Sequence, residues 1–490
     1  MPKPCIGPME STVFSTSRSR VPGRTSARGE VMGTFGLSTG GYHRPVVCQQ
    51  ESPRPRQGSF LQKRPRWRSL SASMPPGLTR RELIGGALGA AALSAVGAPR
   101  TAAAAPTPDW DTIVVGAGVF GAWTAWHLHR SGQRVLLLDA SGPANARASS
   151  GGESRMTRTI YGADDVYTRM AWDSLEDWRW LSSRAGLPVF HPVGVLMFFG
   201  RREPFVVQSI DAHRRLGLRL DVLDRGELQR RYPQVSWEGV ELGLLEPDLG
   251  VLMARRAVQT LVQEFVRAGG QSRLASVVPP GDVAALDGVR TSAGETLRAG
   301  SYVFACGPWL PKVFPSVLGT RIFPTRQEVF FFAPDEGDDR FSPARLPGWA
   351  DFNDGDIYYG MPDLESRGFK IAHDAHGERF DPDTGDRRVS AAGLDDMRAY
   401  LSRRFPALAH RPLVESRVCQ YENSSNGDLL IDRHPRWANA LLVGAGSGHG
   451  FKHGPAVGRY AAELVTGRLA RVEPRFGLAG KGEVQHREVH

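Results

Sequence analysis

Residues 111–140, DTIVVGAGVFGAWTAWHLHRSGQRVLLLDA, restrict the possible folds of this chain more than any other stretch. Residues 112–115 are a short, β-branched apolar run, which reads as a strand of a buried parallel sheet. Gly116, Gly118 and Gly121 follow as GxGxxG. Ala122, Ala125, Trp126 and Leu128 then recur at helical spacing, Gly132 ends the helix, and residues 135–138 form a second buried run that stops at Asp139. Gly116 permits the tight turn, Gly118 lets backbone approach a pyrophosphate, and Gly121 lets the helix pack closely on the strand. The helix N-terminus offers unpaired N–H groups and a positive dipole end to phosphates. Asp139 can accept hydrogen bonds from a ribose hydroxyl pair, and its charge disfavours a 2′-phosphate. The unit therefore predicts dinucleotide binding. A turn without a ligand would not need all three glycines and the terminal acid.

The fingerprint does not choose between cofactors. Residues 439–467, NALLVGAGSGHGFKHGPAVGRYAAELVTG, form a second strand–loop–helix. Gly444, Gly446, Gly448 and Gly450 make a loop in which backbone can touch a ligand, with His449 and Phe451 beside them. Pro455 starts a helix running to about residue 466. A third apolar strand, in SYVFACGPW (301–309), breaks at Gly307. Each alone is an ordinary βα turn. Together they suit a long, two-ended cofactor.

Charge adds an exclusion. The 490-residue chain has a formal charge of +10, but residues 1–73 carry twelve Lys and Arg against only Glu10, Glu30 and Glu51. The remainder is near neutral and gives no reason to expect a nucleic acid. Residues 1–73 are rich in Arg, Ser, Pro and Gly, have no periodicity, and are expected to be disordered. At Met74 the text changes. Arg80 and Arg81 precede an uncharged run of small and apolar residues over 83–99, and alanines follow at 102–105. The run is shorter than the roughly 20 residues of a membrane span. Residues 74–107 read as a twin-arginine signal, with translation expected to start at Met74 and the protein exported, or cytoplasmic if the signal is unused. A loose amphipathic helix beside a basic linker is the alternative. Of four cysteines only Cys306 and Cys419 lie in the body, which makes no disulfide framework, and no zinc-like spacing occurs.

The body resembles the amine-oxidising flavoproteins of the D-amino-acid-oxidase superfamily, and among them monomeric sarcosine oxidase and N-methyltryptophan oxidase. The resemblance spans about residues 109–475. It rests on the fingerprint, GGESRMTRTIYG (151–162), VGVLMF (193–198), LEPDLGVL (245–252), PTRQEVFFF (324–332), IYYGMP (357–362), GFKIAHDAHG (368–377), RVCQYENSSNGDLLIDRHP (417–435) and SGHGFK (447–452), in family order. It implies FAD as cofactor. Cys419 stands where the family attaches FAD through a thioether, although by itself it reads as a buried small hydrophobe. Arg158 and Lys452 stand where the family clamps the substrate carboxylate, a guanidinium pairing bidentately and an ammonium adding a point charge. Arg155 looks like a neighbouring cation close to the flavin. Lys370 stands where the family places a lysine over the flavin, and a fixed cation there would favour reduction of oxygen; its flanks Phe369 and Ile371 place it on the opposite face of a strand. Tyr358 and Tyr359 look like pocket aromatics, and 447–452 like the flavin-contacting loop. For each base the plain alternative is a solvated surface residue. Two departures fall near the site: Ser150 and Gly151 replace paired histidines, and Asp374 aligns with a family histidine while His373 lies one position earlier.

The expected fold class is α/β (α+β overall): a Rossmann-like FAD-binding domain from 109–187, 247–316 and 424–475, interleaved with a mixed or antiparallel-sheet substrate domain from 188–246 and 317–423, with a disordered tail over 476–490. Strands near 193–199 and 329–332 are expected to alternate. The implied reaction is oxidation of the C–N bond of a small secondary amine or N-methyl amino acid to an imine that hydrolyses, with oxygen reduced to hydrogen peroxide. A monomer is expected, without metal or stable membrane span. One rival is a dehydrogenase of the same fold that passes electrons to a quinone or carrier, separable by comparing oxygen with a dye as acceptor. The other is a non-catalytic flavin-binding redox sensor or interaction module, against which Arg158, Lys370 and Lys452 together speak.

Overall fold

The computed structural model describes residues 108–353, 356–375 and 377–486. The signal expected at 74–107 and the leader before it lie outside the described residues. The fingerprint folds as β1 (Trp110–Val115), α1 (Val119–Arg130) and β2 (Val135–Asp139). β1 lies between β2 and strand Ala299–Phe304, parallel to both. Gln271–Leu274 and Ala440–Gly444 extend the sheet in parallel, and Leu430–Arg433 closes one edge antiparallel. β1 is apolar on both faces because both are covered. Val114 packs into the core beneath α1 and helices Asp165–Arg184, Ala254–Arg267 and Gly454–Val465, whereas Ile113 and Val115 join a second core with Tyr302, Phe304 and Phe314.

Among the described residues, a second sheet has eight strands, starting at Leu413–Ser424 and Ile322–Phe332 and running through Phe369–His373, Asp356–Met361, Gly348–Asn353 and Val195–Phe199 to Leu242–Glu246 and Asp221–Asp224. Its pairs are antiparallel except Gly348–Asn353 with Val195–Phe199. The molecule is mixed α/β. The expected alternation does not hold at 195–199 and 329–332. Every residue there is buried, because Val195, Met197 and Phe199 join one core while Leu196 and Phe198 join another. Strand 195–199 also begins two residues later than expected, after Gly194 at φ 77°.

The tail differs from expectation as well. Residues 476–481 pack rather than trail: Phe476 is 2% exposed and Lys481 1%. Lys481 Nζ donates to the Arg475 carbonyl at 2.8 Å and Asn426 Oδ1 at 3.2 Å, and Leu478 N donates to Asp432 at 2.8 Å. Polar composition concealed one aromatic anchor and a set of backbone contacts.

Candidate active site

Two cavities of about 370 and 380 Å³ share wall residues, among them Arg155, Cys419, Tyr421, Gly448 and Phe451. The first is the dinucleotide crevice, walled by Gly116, Gly118, Asp139, Gly446, Gly448 and Gly450. The glycines divide the work. Gly116 has φ 103°, and a Cβ there would meet the Ala305 carbonyl oxygen at 2.3 Å. Gly121 lines neither cavity; its Cβ would lie 1.8 Å from the Gly116 carbonyl oxygen, so it serves close packing. At Gly118 the nearest atom to a Cβ is Ser150 Oγ at 3.6 Å, which leaves that backbone open to the crevice. Asp139 Oδ2 accepts from Ala117 N at 2.7 Å and Oδ1 from Ser141 N at 2.8 Å, which fixes the carboxylate at the crevice wall.

Ser150, a departure from the family pattern, has a task here. Its Oγ accepts from Val119 N at 3.0 Å and holds one of the orphan N–H groups of the α1 N-terminus. The loop after Ala440–Gly444 is wound more tightly than glycine content alone indicates. Ala445 (φ 55°) and Ser447 (φ 43°) join Gly448 (φ 80°) in the left-handed region, which non-glycine residues enter at a cost unless held. The side chain of Glu422 accepts from Ala445 N, and Ser447 Oγ accepts from Ser424 N at 3.1 Å. These residues suit an extended dinucleotide: an open helix N-terminus, a fixed acid and a second glycine loop, all on one crevice.

The second cavity holds the cations. Arg158 is 7% exposed and donates to the Ile160 carbonyl. Its guanidinium lies 4.2 Å from the centre of the Tyr161 ring, and Lys452 Nζ lies 5.2 Å from the same ring. Lys452 donates to the His449 carbonyl at 2.7 Å; burial, and then Arg158, hold its ammonium well below the ordinary range. Lys370 comes from strand Phe369–His373, is 2% exposed, and donates to the Ser154 carbonyl at 2.9 Å. Burial, with Arg155 second, brings it down to about 7. Tyr359 completes this wall, and burial, then the charge of Asp374, pushes its phenol up to about 12.

Strand alternation separates Tyr358 from Tyr359. Tyr358 was expected in the pocket but turns to the opposite face, donating to Asp396 at 2.8 Å and stacking on Tyr400 at 4.0 Å. His373 also faces Asp396, at 3.1 Å, so Asp374 rather than His373 reaches the cavity. His449, expected on the cofactor, lines the cationic cavity instead, within hydrogen-bond distance of Tyr161 Oη (3.1 Å) and the Gly427 carbonyl (3.1 Å). Arg155 and Cys419 stand where the cavities meet, Nη2 to Sγ 3.6 Å apart, and the Arg155 guanidinium lies 6.0 Å from the Phe451 ring. Phe451 in turn stacks on Trp178.

Sequence reasoning passed over Tyr161, His453 and Glu422. Tyr161 Oη and His453 Nε2 lie 2.8 Å apart, beneath the two cations. The YG and KH dipeptides that carry them gave no signal of contact across the fold. Among the described residues no group of three or more His, Cys, Asp or Glu side chains is placed to hold a metal, and no helix is long and apolar enough to cross a membrane.

The chain is similar to known proteins over most of its length. Monomeric sarcosine oxidase of Bacillus sp. (strain B-0618) is 30% identical over 367 residues, covering 73% of this chain and 93% of the relative. Human peroxisomal sarcosine oxidase is 31% identical over 381 residues, covering 76% and 94%. The solved L-proline dehydrogenase of P. horikoshii has the same fold, with a TM-score of 0.65 at 19% identity, covering 74% of this chain and 94% of that one. The model of the FAD dependent oxidoreductases (DAO) matches residues 111–464, and the chain belongs to that family.

Proposed function

We propose that this protein oxidises the C–N bond of a small secondary amine bearing a carboxylate, an N-methyl amino acid, with oxygen as acceptor. The observation that carries the reading is the pair of buried cations, Arg158 and Lys452, over one tyrosine ring in a cavity that shares its wall with the dinucleotide crevice. Two cations side by side away from water raise each other's cost, and a bound carboxylate offsets it. Relatives named sarcosine oxidase, at about 30% identity over most of the chain, support the same substrate class.

FAD, when bound, supplies the two-electron acceptor. Gly116, Gly118, Asp139 and the loop through Gly446, Gly448, Gly450 and Phe451 would hold it. Arg158 and Lys452 fix the substrate's acid end, and their positive field favours loss of the proton from the substrate nitrogen. Tyr359 and Phe451 bound the space and limit water. Lys370 supplies a positive charge for oxygen reduction. Cys419, at the meeting of the cavities, is the residue we assign to a thioether with the flavin. We also assign residues 74–107 to export, which a reporter fused to them would lose on replacing Arg80 and Arg81 by lysine.

The deciding experiment is anaerobic mixing of the purified yellow protein with sarcosine and larger N-methyl amino acids. Loss of the visible flavin band is expected, and admission of oxygen should return it with formation of peroxide. Failure of every such amine to bleach the band would sink the reading. Reoxidation by a quinone dye but not by oxygen would transfer it to a dehydrogenase.

A further inference from the structure

Glu422 lies near the end of strand Leu413–Ser424 and sets a carboxyl group in the wall of the dinucleotide crevice. It is 6% exposed. The N–H groups of Ala445 and Gly446 point to it, Ala445 N donating to Oε1. Missing side chains make its room: a Cβ on Gly444 would stand 2.4 Å from Oε1, and one on Gly307 3.1 Å from Oε2. Among the described residues no cation forms an ion pair with it.

A carboxylate in this position would face two costs. One is burial without a counter-charge. The other is the diphosphate that the same crevice receives at the α1 N-terminus. The other charged or titratable groups facing the crevice do not remove these costs. Asp139 is committed to Ala117 and Ser141, Asp383 pairs with Lys312 at 2.6 Å, and Arg155 donates to the Ser149 and Ser154 carbonyls. Arg147 is drawn outward, to the Asp383 carbonyl at 2.5 Å. The Cys306 thiol is pushed far above its ordinary range by burial, then by Asp139 and Glu422.

We propose that Glu422 is a cofactor-contacting acid: FAD occupies the crevice only with this carboxyl neutral, Oε1 bracing the strained loop and Oε2 presenting its O–H to an oxygen of the cofactor. Burial alone already pushes the carboxyl up to about 8, against the two backbone donors. A nearby diphosphate raises it further, so binding takes up a proton wherever the empty crevice holds a carboxylate. The inference rests on FAD filling this crevice.

The test uses the full chain carrying Cys419→Ser, freed of flavin, titrated with FAD by fluorescence quenching across pH. The dissociation constant should be flat on the acid side and rise about tenfold per unit above roughly pH 8. Glu422→Gln keeps an acceptor for Ala445 and a donor for the cofactor, so it should bind FAD with no such rise. Calorimetry in buffers of different ionisation heat should count close to one proton taken up per FAD at about pH 9, falling toward none in the acid range. A flat wild-type profile would overturn the proposal, as would a Gln variant that keeps the rise, which would point to Lys370. If the Gln variant does not fold, the proton count in a Lys370→Met background decides, and absence of uptake overturns the proposal. No FAD binding at any pH would overturn the cofactor reading and this inference with it.

Discussion

Arg158 and Lys452 share the ring of Tyr161, so each modifies the cost of the other. Removing one partner of a buried, hydrogen-bonded charge pair costs about 2–5 kcal/mol. Arg158→Ala is therefore expected to weaken binding of an N-methyl amino acid by about 30-fold or more, read from flavin difference spectra. An amine of similar size without a carboxylate should bind both forms alike, and an equal loss for both would remove the clamp assignment. Lys370 calls for a different measurement. Lys370→Met should slow reoxidation by oxygen about 10²–10³-fold in stopped flow while leaving anaerobic flavin reduction nearly unchanged. Because burial and Arg155 bring this lysine to about 7, the oxygen reaction of wild type should decline as pH rises through that value, and the Met variant should show no such decline.

At the scale of elements, α1 and helix Gly454–Val465 approach so closely that glycine decides the packing. A Cβ on Gly458 would meet Trp123 backbone at 2.5 Å. Gly458→Ala is expected to cost about 1–3 kcal/mol in chemical unfolding. Gly118→Ala, which meets only Ser150, should leave stability intact and weaken FAD binding. The same helix pair makes a pH test. Burial, then Arg459, lowers His127 in α1 from its ordinary 6.5 to about 4. The unfolded chain thus takes up this proton first. The stability contributed is complete above about pH 6.5 and lost as pH falls toward 4, to a total of about 3 kcal/mol. His127→Leu should flatten that part of a urea-unfolding series. Most of this helical unit was legible from spacing: three glycines, apolar positions at 3.6-residue intervals and Asp139. The left-handed Ala445 and Ser447 were not, since their conformation is held by Glu422 and Ser424, distant in sequence.

For the molecule as a whole, the C-terminal segment matters more than its composition indicated. Arg475 pairs with Asp428 at 2.6 Å and with Asp164 at 2.8 Å, joining the turn that lines the cationic cavity to the N-cap of helix Asp165–Arg184. Ending the chain before Pro474 removes this link and the burial of Phe476, which alone is worth about 2–3 kcal/mol. Lower thermal stability and a raised KM for the amine are expected together. A KM that stays fixed would show that the turn holds without the segment.

Local pattern was enough to determine the cofactor-binding unit and the family resemblance. Hydrophobic period and glycine spacing are properties of neighbouring residues, so they survive in one dimension. Which tyrosine of 358 and 359 faces the cavity, which of His373 and Asp374 enters it, that His449 sits with the cations, and that Glu422 stands in the crevice were settled only in three dimensions. Those outcomes depend on strand register and on contacts between segments tens to hundreds of residues apart, for which a linear sequence contains no local signal.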